Sequence, residues 1–207
     1  MLYKLNKLEK RILEISFKYK LSHIGSSISS VNIIDKIYSE KKDSDIFILS
    51  CGHSFLGLAV VLEKYYKINA ENLHKRHGIH PHRNLDDKIY CSTGSLATGI
   101  CCGIGMAVSN KDKKIYILCS DGETYEGAFW EALTFIDENK IDNIRIFINL
   151  NGFAAYKEIN KQRLKEKLIA FYPEINIIET NFSNIPFLNG LDAHYKVMTE
   201  KEYYSMK

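Results

Sequence analysis

Hydrophobic positions along the chain follow two different periods. Leu5, Leu8, Ile12, Ile15 and Tyr19 recur every three or four residues and predict an amphipathic helix over 5–19. A loop, Ser22-His23-Ile24-Gly25-Ser26-Ser27, is expected next. A second helix is expected after Ser30, with Ile33, Ile34, Ile37 and Tyr38 inward. Short apolar runs then alternate with helical stretches. Asp45 to Ser50, Lys114 to Cys119 and Ile144 to Asn149 read as buried strands. Phe55 to Tyr66, Leu96 to Asn110 and Tyr125 to Asn139 read as helices. A charged helix from Asn160 to Leu168, a strand near Ile175 to Glu179 and a closing helix from Glu200 to Ser205 follow. The stretch 71–94 reads as loop-rich and carries His74, His77, His80 and His82. Strand–helix–strand units of this length predict an α/β fold, three layers deep, around a mainly parallel sheet. No repeat and no Pro, Ser or Gly linker divides the chain, so 1–207 reads as a single domain.

Composition narrows the function classes. The net charge of the 207 residues is only +3, which argues against a dedicated nucleic-acid binder. No apolar run reaches the roughly 18 residues needed to span a bilayer. The first ten residues lack the apolar core of a secretion signal. The cysteines, Cys51, Cys91, Cys101, Cys102 and Cys119, form no C-x-x-C pair, which argues against zinc and fits reduced thiols in the cytoplasm.

Candidate chemistry concentrates at two strand ends, where parallel sheets bind ligands. Asp121 follows one strand and Asn151 the next, 30 residues later. A carboxylate and an amide oxygen are hard donors suited to Mg²⁺ or Ca²⁺, and Mg²⁺ often completes its octahedron with phosphate oxygens. Asp-Gly and Asn-Gly are also ordinary turns, so neither alone carries the reading. The helix before them holds Ala97, Gly99, Gly103, Gly105 and Ala107. Glycine costs about 1 kcal/mol per helical position against alanine, so this composition predicts a close approach to the helix backbone.

The same segments carry a family resemblance. S-D-G-E-T-Y-E-G-A-F-W-E (120–131) followed by N-L-N-G-F (149–153) resembles the thiamine-diphosphate motif, and transketolase in particular. S-H-I-G-S-S-I-S-S (22–30), L-S-C-G-H (49–53), I-H-P-H-R (79–83) and C-S-T-G-S-L-A-T-G (91–99) resemble further transketolase motifs in the same order. L-D-A-H-Y (191–195) resembles a degenerate D-G-H-D, while 154–190 is the least matched part. The resemblance implies the diphosphate-binding (PP-type) fold, with thiamine diphosphate and Mg²⁺, Ca²⁺ or Mn²⁺ as cofactors. It implies Asp121, Asn151 and the Phe153 carbonyl as metal ligands. Gly94, Ser95, Leu96, Gly122, Glu123 and His194 would lie against the cofactor. His23, His53 and His80 would line the site and contact donor hydroxyls or the cofactor. Glu126 would act at the interface with a pyrimidine-binding domain. Ser120, Ala97, Thr98, Ala193 and Tyr195 depart from the family pattern. His74, His77 and His82 lie outside the matched roles and read as surface or hydrogen-bonded residues.

The chain has no room for the pyrimidine-binding domain that completes such a site. The resemblance therefore implies the N-terminal subunit of a two-chain transketolase, with the C-terminal subunit its obligate partner in an α₂β₂ assembly. The implied activity is ketol transfer between sugars or sugar phosphates, with surface-sugar synthesis as one setting. A carboligase of the deoxyxylulose-phosphate-synthase type and a non-catalytic relic of the fold are the alternatives.

Overall fold

The computed structural model describes residues 5–154, 157–182 and 185–206. Four parallel strands form its sheet: β1 (Ile46–Leu49), β2 (Ile115–Ser120), β3 (Ile144–Leu150) and β6 (Asn176–Glu179), paired in that order. Their side chains alternate between two buried faces. Phe47 and Leu49 join one core with helices α1 (Lys7–Tyr19), α2 (Ile24–Glu40), α3 (Phe55–Tyr66) and α4 (Ala70–His77). Ile46, Ile48, Ile115, Ile117, Ile146 and Ile148 join the other, with α5 (Thr98–Ser109), α6 (Gly127–Glu138) and α7 (Lys161–Phe171). The three-layer α/β/α architecture with a parallel sheet matches the expectation. A two-stranded hairpin, β4 (Phe153–Ala154) with β5 (Lys157–Glu158), and two short helices, α8 (Asp192–Tyr195) and α9 (Glu200–Ser205), complete it. Among the described residues, no helix is long and apolar enough to cross a membrane.

Five local expectations are corrected. The expected loop at Ser22–Ser27 is largely helix, because α2 begins at Ile24 and not after Ser30. Its serines are polar but buried, and they are satisfied inside the protein. Asn149 Nδ2 donates to Ser29 Oγ at 2.9 Å and to Ser30 Oγ at 3.0 Å. Within 71–94, α4 forms under an Asn69 side-chain cap that accepts from the Asn72 N–H at 3.0 Å. A 3₁₀ turn at Asp121–Tyr125 delays α6 to Gly127. The β4–β5 hairpin has no clear alternation to announce it. Finally, the degenerate motif at Leu191–Tyr195 lies largely in a helical turn, Asp192–Tyr195. The Asp192 side chain lies outside the described residues.

The glycines of α5 serve packing against the sheet. A Cβ on Gly99 would stand 2.6 Å from Ser50 Cα at the end of β1. One on Gly103 would stand 2.2 Å from Ile117 Cδ1, whereas Gly105 faces open space. The close approach expected from composition is thus made by strands. Gly99→Ala is expected to destabilise the chain by roughly 1–3 kcal/mol, because backbone must move to admit the methyl. Gly105→Ala is expected to stabilise it by roughly 0.5–1 kcal/mol. Urea unfolding of the two variants checks both signs.

Candidate active site

The carboxyl ends of β2 and β3 lie side by side, with Ser120 in register with Asn149. This brings Asp121 and Asn151 together. Asp121 Oδ1 accepts from the Gly122 N–H at 3.1 Å, and Oδ2 accepts from the Gly152 N–H at 2.6 Å, reaching across to the β3 end. Gly152, at φ +96°, makes that turn possible. Asn151 Oδ1 accepts from the Phe153 N–H at 2.9 Å, which leaves a lone pair for a second partner. Asp121 has no exposed surface, and burial pushes its carboxyl up to about 7 against the pull of the Gly152 and Gly122 N–H groups. Such a buried carboxylate is short of compensating charge. Its donors are hard oxygens, and no group of three His, Cys, Asp or Glu among the described residues is placed to hold a metal ion by itself. That donor chemistry fits Mg²⁺ better than a soft metal.

A cavity of about 140 Å³ opens beside this pair. His23, His53, His80, His194, Leu96 and Gly122 line it, together with Phe153, Ser120 and Tyr195. His23 caps α2 in the left-handed region at φ +60°. Its N–H donates to the His194 carbonyl at 2.9 Å, and Ser22 Oγ meets its Nδ1 at 2.9 Å. Ser26 Oγ likewise meets His194 Nδ1 at 3.2 Å. The His23 and His53 ring centroids are 5.9 Å apart, and those of His53 and His194 are 6.3 Å apart. Burial, then the neighbouring His23, His194 and His80, pulls His53 down to about 3. Burial also lowers His23 and His194, although a hydrogen bond to the Phe153 backbone raises His194 in part. At neutral pH these three rings are therefore uncharged, each with one donor and one acceptor nitrogen.

Gly122 borders the cavity for a reason that lies outside the protein's own packing. A Cβ there would meet Ala154 Cα and Ser120 Oγ only at 3.7 Å. Packing within the protein therefore does not demand glycine at this position. Gly94, at φ +150°, lies instead beneath the His80 ring, where a Cβ would come within 3.2 Å.

Several expected site residues stand elsewhere. Glu123 lies behind the cavity, and the protein takes up its oxygens. Oε1 accepts from Ser50 Oγ at 2.5 Å and from the Ala97 N–H at 2.9 Å, while Oε2 accepts from the Ser120 N–H at 2.8 Å. These bonds give the side chain a structural role. Gly94 and Ser95 do not line the cavity, and only Leu96 of that segment does. Glu126 is exposed at the start of α6, away from the cavity lining. Phe129 is fully buried, whereas Tyr125 beside Glu126 is exposed. Tyr195 at the cavity mouth is a lining residue to which the motif resemblance assigns no role, and its position next to His194 is the available signal.

The histidine cluster sets a pH dependence. An unfolded histidine titrates near 6.5, whereas folded His53 resists the proton down to about 3. Its contribution to stability is complete above pH 6.5 and is lost as pH falls towards 3. His53→Gln, which carries no titrating ring, is expected to lose less stability than the parent chain between pH 7 and pH 5. The expected difference is on the order of 1–2 kcal/mol, allowing for the ring's partial contact with solvent. Urea midpoints at the two pH values measure it, and parallel losses would refute it.

No protein-family model matches the chain. It is 33% identical over 162 residues to an apulose-4-phosphate transketolase subunit of Phocaeicola vulgatus, a match covering 69% of this chain and 57% of that one. It is 28% identical over 190 residues to the 6-deoxy-6-sulfo-D-fructose transketolase subunit SqwG of a Clostridium species, covering 80% and 69% respectively. The chain thus spans a little over half the length of the first of these relatives. Among solved structures, transketolase from Campylobacter jejuni superposes with a TM-score of 0.66 at 18% identity, over 92% of this chain and 40% of that one. That last likeness concerns the fold. With the motif order and the strand-end geometry beside the sequence relatives, the chain belongs to the transketolase family.

Proposed function

We propose that this chain is the diphosphate-binding subunit of a two-chain transketolase, moving a ketol unit from a ketose donor to an aldose acceptor. One observation carries the reading: Asp121 and Asn151 converge at adjacent strand ends beside a cavity lined by four histidines. We take 1–207 as a single diphosphate-binding domain that needs a second chain with the pyrimidine-binding domain, arranged as α₂β₂. The five free thiols fit a cytoplasmic enzyme.

Asp121 and Asn151, with the Phe153 carbonyl, would hold Mg²⁺, and the opening at Gly122 would admit the diphosphate. When bound, thiamine diphosphate supplies the nucleophilic carbon and the electron sink for ketol transfer. The residues of this chain orient the donor. Neutral His23 and His53 each offer a donor and an acceptor, a match for adjacent sugar hydroxyls that alternately give and receive hydrogen bonds. His80 reaches the same cavity from a separate loop. Such rings can also take a proton from a hydroxyl and return it. His194 would touch the diphosphate from α8, and exposed Glu126 would meet the partner. The named substrates of the two relatives are ketoses with an anionic group, and we infer a donor of that class here.

The test is reconstitution with the second chain, assayed for ketol transfer with Mg²⁺ and thiamine diphosphate. Turnover should need both chains and both cofactors. Carbon dioxide release from a 2-oxo acid would favour the carboligase, and failure to bind cofactor would favour the relic. Asp121→Ala should weaken cofactor binding on the order of 10²-fold in calorimetry of the assembled enzyme. Gly122→Ala should weaken it roughly 10-fold or more with an unchanged melting temperature, since the methyl intrudes only on the ligand. Unchanged affinity in Asp121→Ala would sink the metal assignment.

A further inference from the structure

His77 is buried in a place that the site does not explain. It ends α4, with a side chain only 4% exposed, and its ring packs edge-on to Phe55 with centroids 5.5 Å apart. Both ring nitrogens are engaged. His77 Nε2 lies 2.8 Å from Asp87 Oδ2. The His82 backbone N–H donates to His77 Nδ1 at 3.2 Å, so Nδ1 is the acceptor and Nε2 carries the proton. Asp87 is held in turn by the Arg76 fork, at 2.9 Å from Nε and 2.5 Å from Nη2.

The chain between these contacts carries His80. It leaves α4 at Gly78, at φ +68°, whose N–H donates to the His74 carbonyl at 2.8 Å. Ile79 and His80 are exposed, so apolar burial does little to fix them. The His82 N–H then returns to His77. The outgoing limb is tied separately, by the Thr93 N–H to the Pro81 carbonyl at 3.1 Å and the Arg83 N–H to Ser92 Oγ at 2.8 Å. A turn closed by Asn84 and Ile89 brings Asp87 back. The His77 ring is thus the bond that ties the 78–82 loop to the helix before it.

We propose that His77 is a positioning residue: its Nδ1 closes the loop that presents His80 to the cavity, while Asp87 and Arg76 fix its tautomer and orientation. This deepens the transketolase reading and rests on it for the role of His80. A displacement of about 1 Å at a reacting group can cost on the order of 10²-fold in rate, so a loose loop would be felt in catalysis.

The two nitrogens can be tested apart, because an Asn amide oxygen mimics Nδ1 and a Gln amide N–H mimics Nε2. The variants His77→Ala, His77→Asn and His77→Gln are compared in the full chain, alone and assembled with its partner. Amide hydrogen exchange of 78–83, kcat/KM for the donor, cofactor affinity and melting temperature are measured for each. His77→Ala should speed exchange in 78–83 by roughly 10-fold or more and lower kcat/KM by roughly 10- to 100-fold, with cofactor affinity unchanged. His77→Asn should restore exchange protection and kcat/KM but not melting temperature, since Asp87 loses its donor. His77→Gln should restore melting temperature but neither of the other two. Wild-type exchange in His77→Ala, or kcat/KM that follows melting temperature through all three variants, would overturn the proposal. If the wild-type assembly shows no ketol transfer, or His80→Ala is fully active, the functional reading falls. The exchange pattern still decides the loop closure in that case, including on the isolated chain.

Discussion

The Glu123 carboxylate is the contact on which the site depends. It joins three chain segments that the sheet alone would leave apart: Ser50 after β1, Ala97 at the start of α5 and Ser120 at the end of β2. A fully buried carboxylate costs several kcal/mol unless donors replace its water. Three donors converge here, and burial still pushes its titration upward. Ala97 stands at φ +61°, where glycine would be relaxed. With Glu123 turned inward, Asp121, two residues earlier, is left at the strand end beside the cavity. One 3₁₀ turn thereby separates a structural carboxylate from the one that lines the cavity.

A second buried polar layer supports the histidines from below. Ser29 and Ser30 meet Asn149 of β3, and Ser26 meets His194, so the first turns of α2 join the sheet's end to α8. Gly25 lets this happen, because a Cβ there would come within 2.9 Å of the Ala193 Cβ. The hydrophobic cores hold the layers together, but these hydrogen bonds decide where the rings stand. Satisfied polar networks of this kind favour one arrangement over its competitors.

How much of this was legible follows from the physics of each segment. The strands were readable because parallel, doubly buried strands are unbroken apolar runs, as I-Y-I-L-C and I-R-I-F-I-N nearly are. Asp121 and Asn151 were readable because a parallel sheet puts successive strand ends on one side. The start of α2 was not, because serines that bond inward look like loop serines in sequence. The roles of Glu123 and Glu126 were equally hidden. Both are glutamates in one motif, and only the 3₁₀ turn sends one to the interior and leaves the other exposed. His77 could not be told from His74 or His82, since its partner Asp87 is brought near by a turn no pattern announces.

The exposed side of α5 and α6 carries a stripe of small and mainly apolar residues. Cys101, Gly105 and Val108 recur at helical spacing along α5, and Ala128, Glu131 and Phe135 do so along α6. All six are exposed, with Val108 at 47% and Phe135 at 46%. Small residues at the stripe's centre leave room for another backbone, and a Cβ at Gly105 or Gly127 would meet nothing. Glu126 begins the same helix that carries Phe135. Its backbone is fixed to the Glu123 carbonyl at 3.1 Å, so the turn that places Asp121 also places Glu126. A second chain docked on this stripe would also meet exposed Glu126. The turn from Asp121 to Tyr125 therefore links the strand-end carboxylate to the start of this exposed stripe.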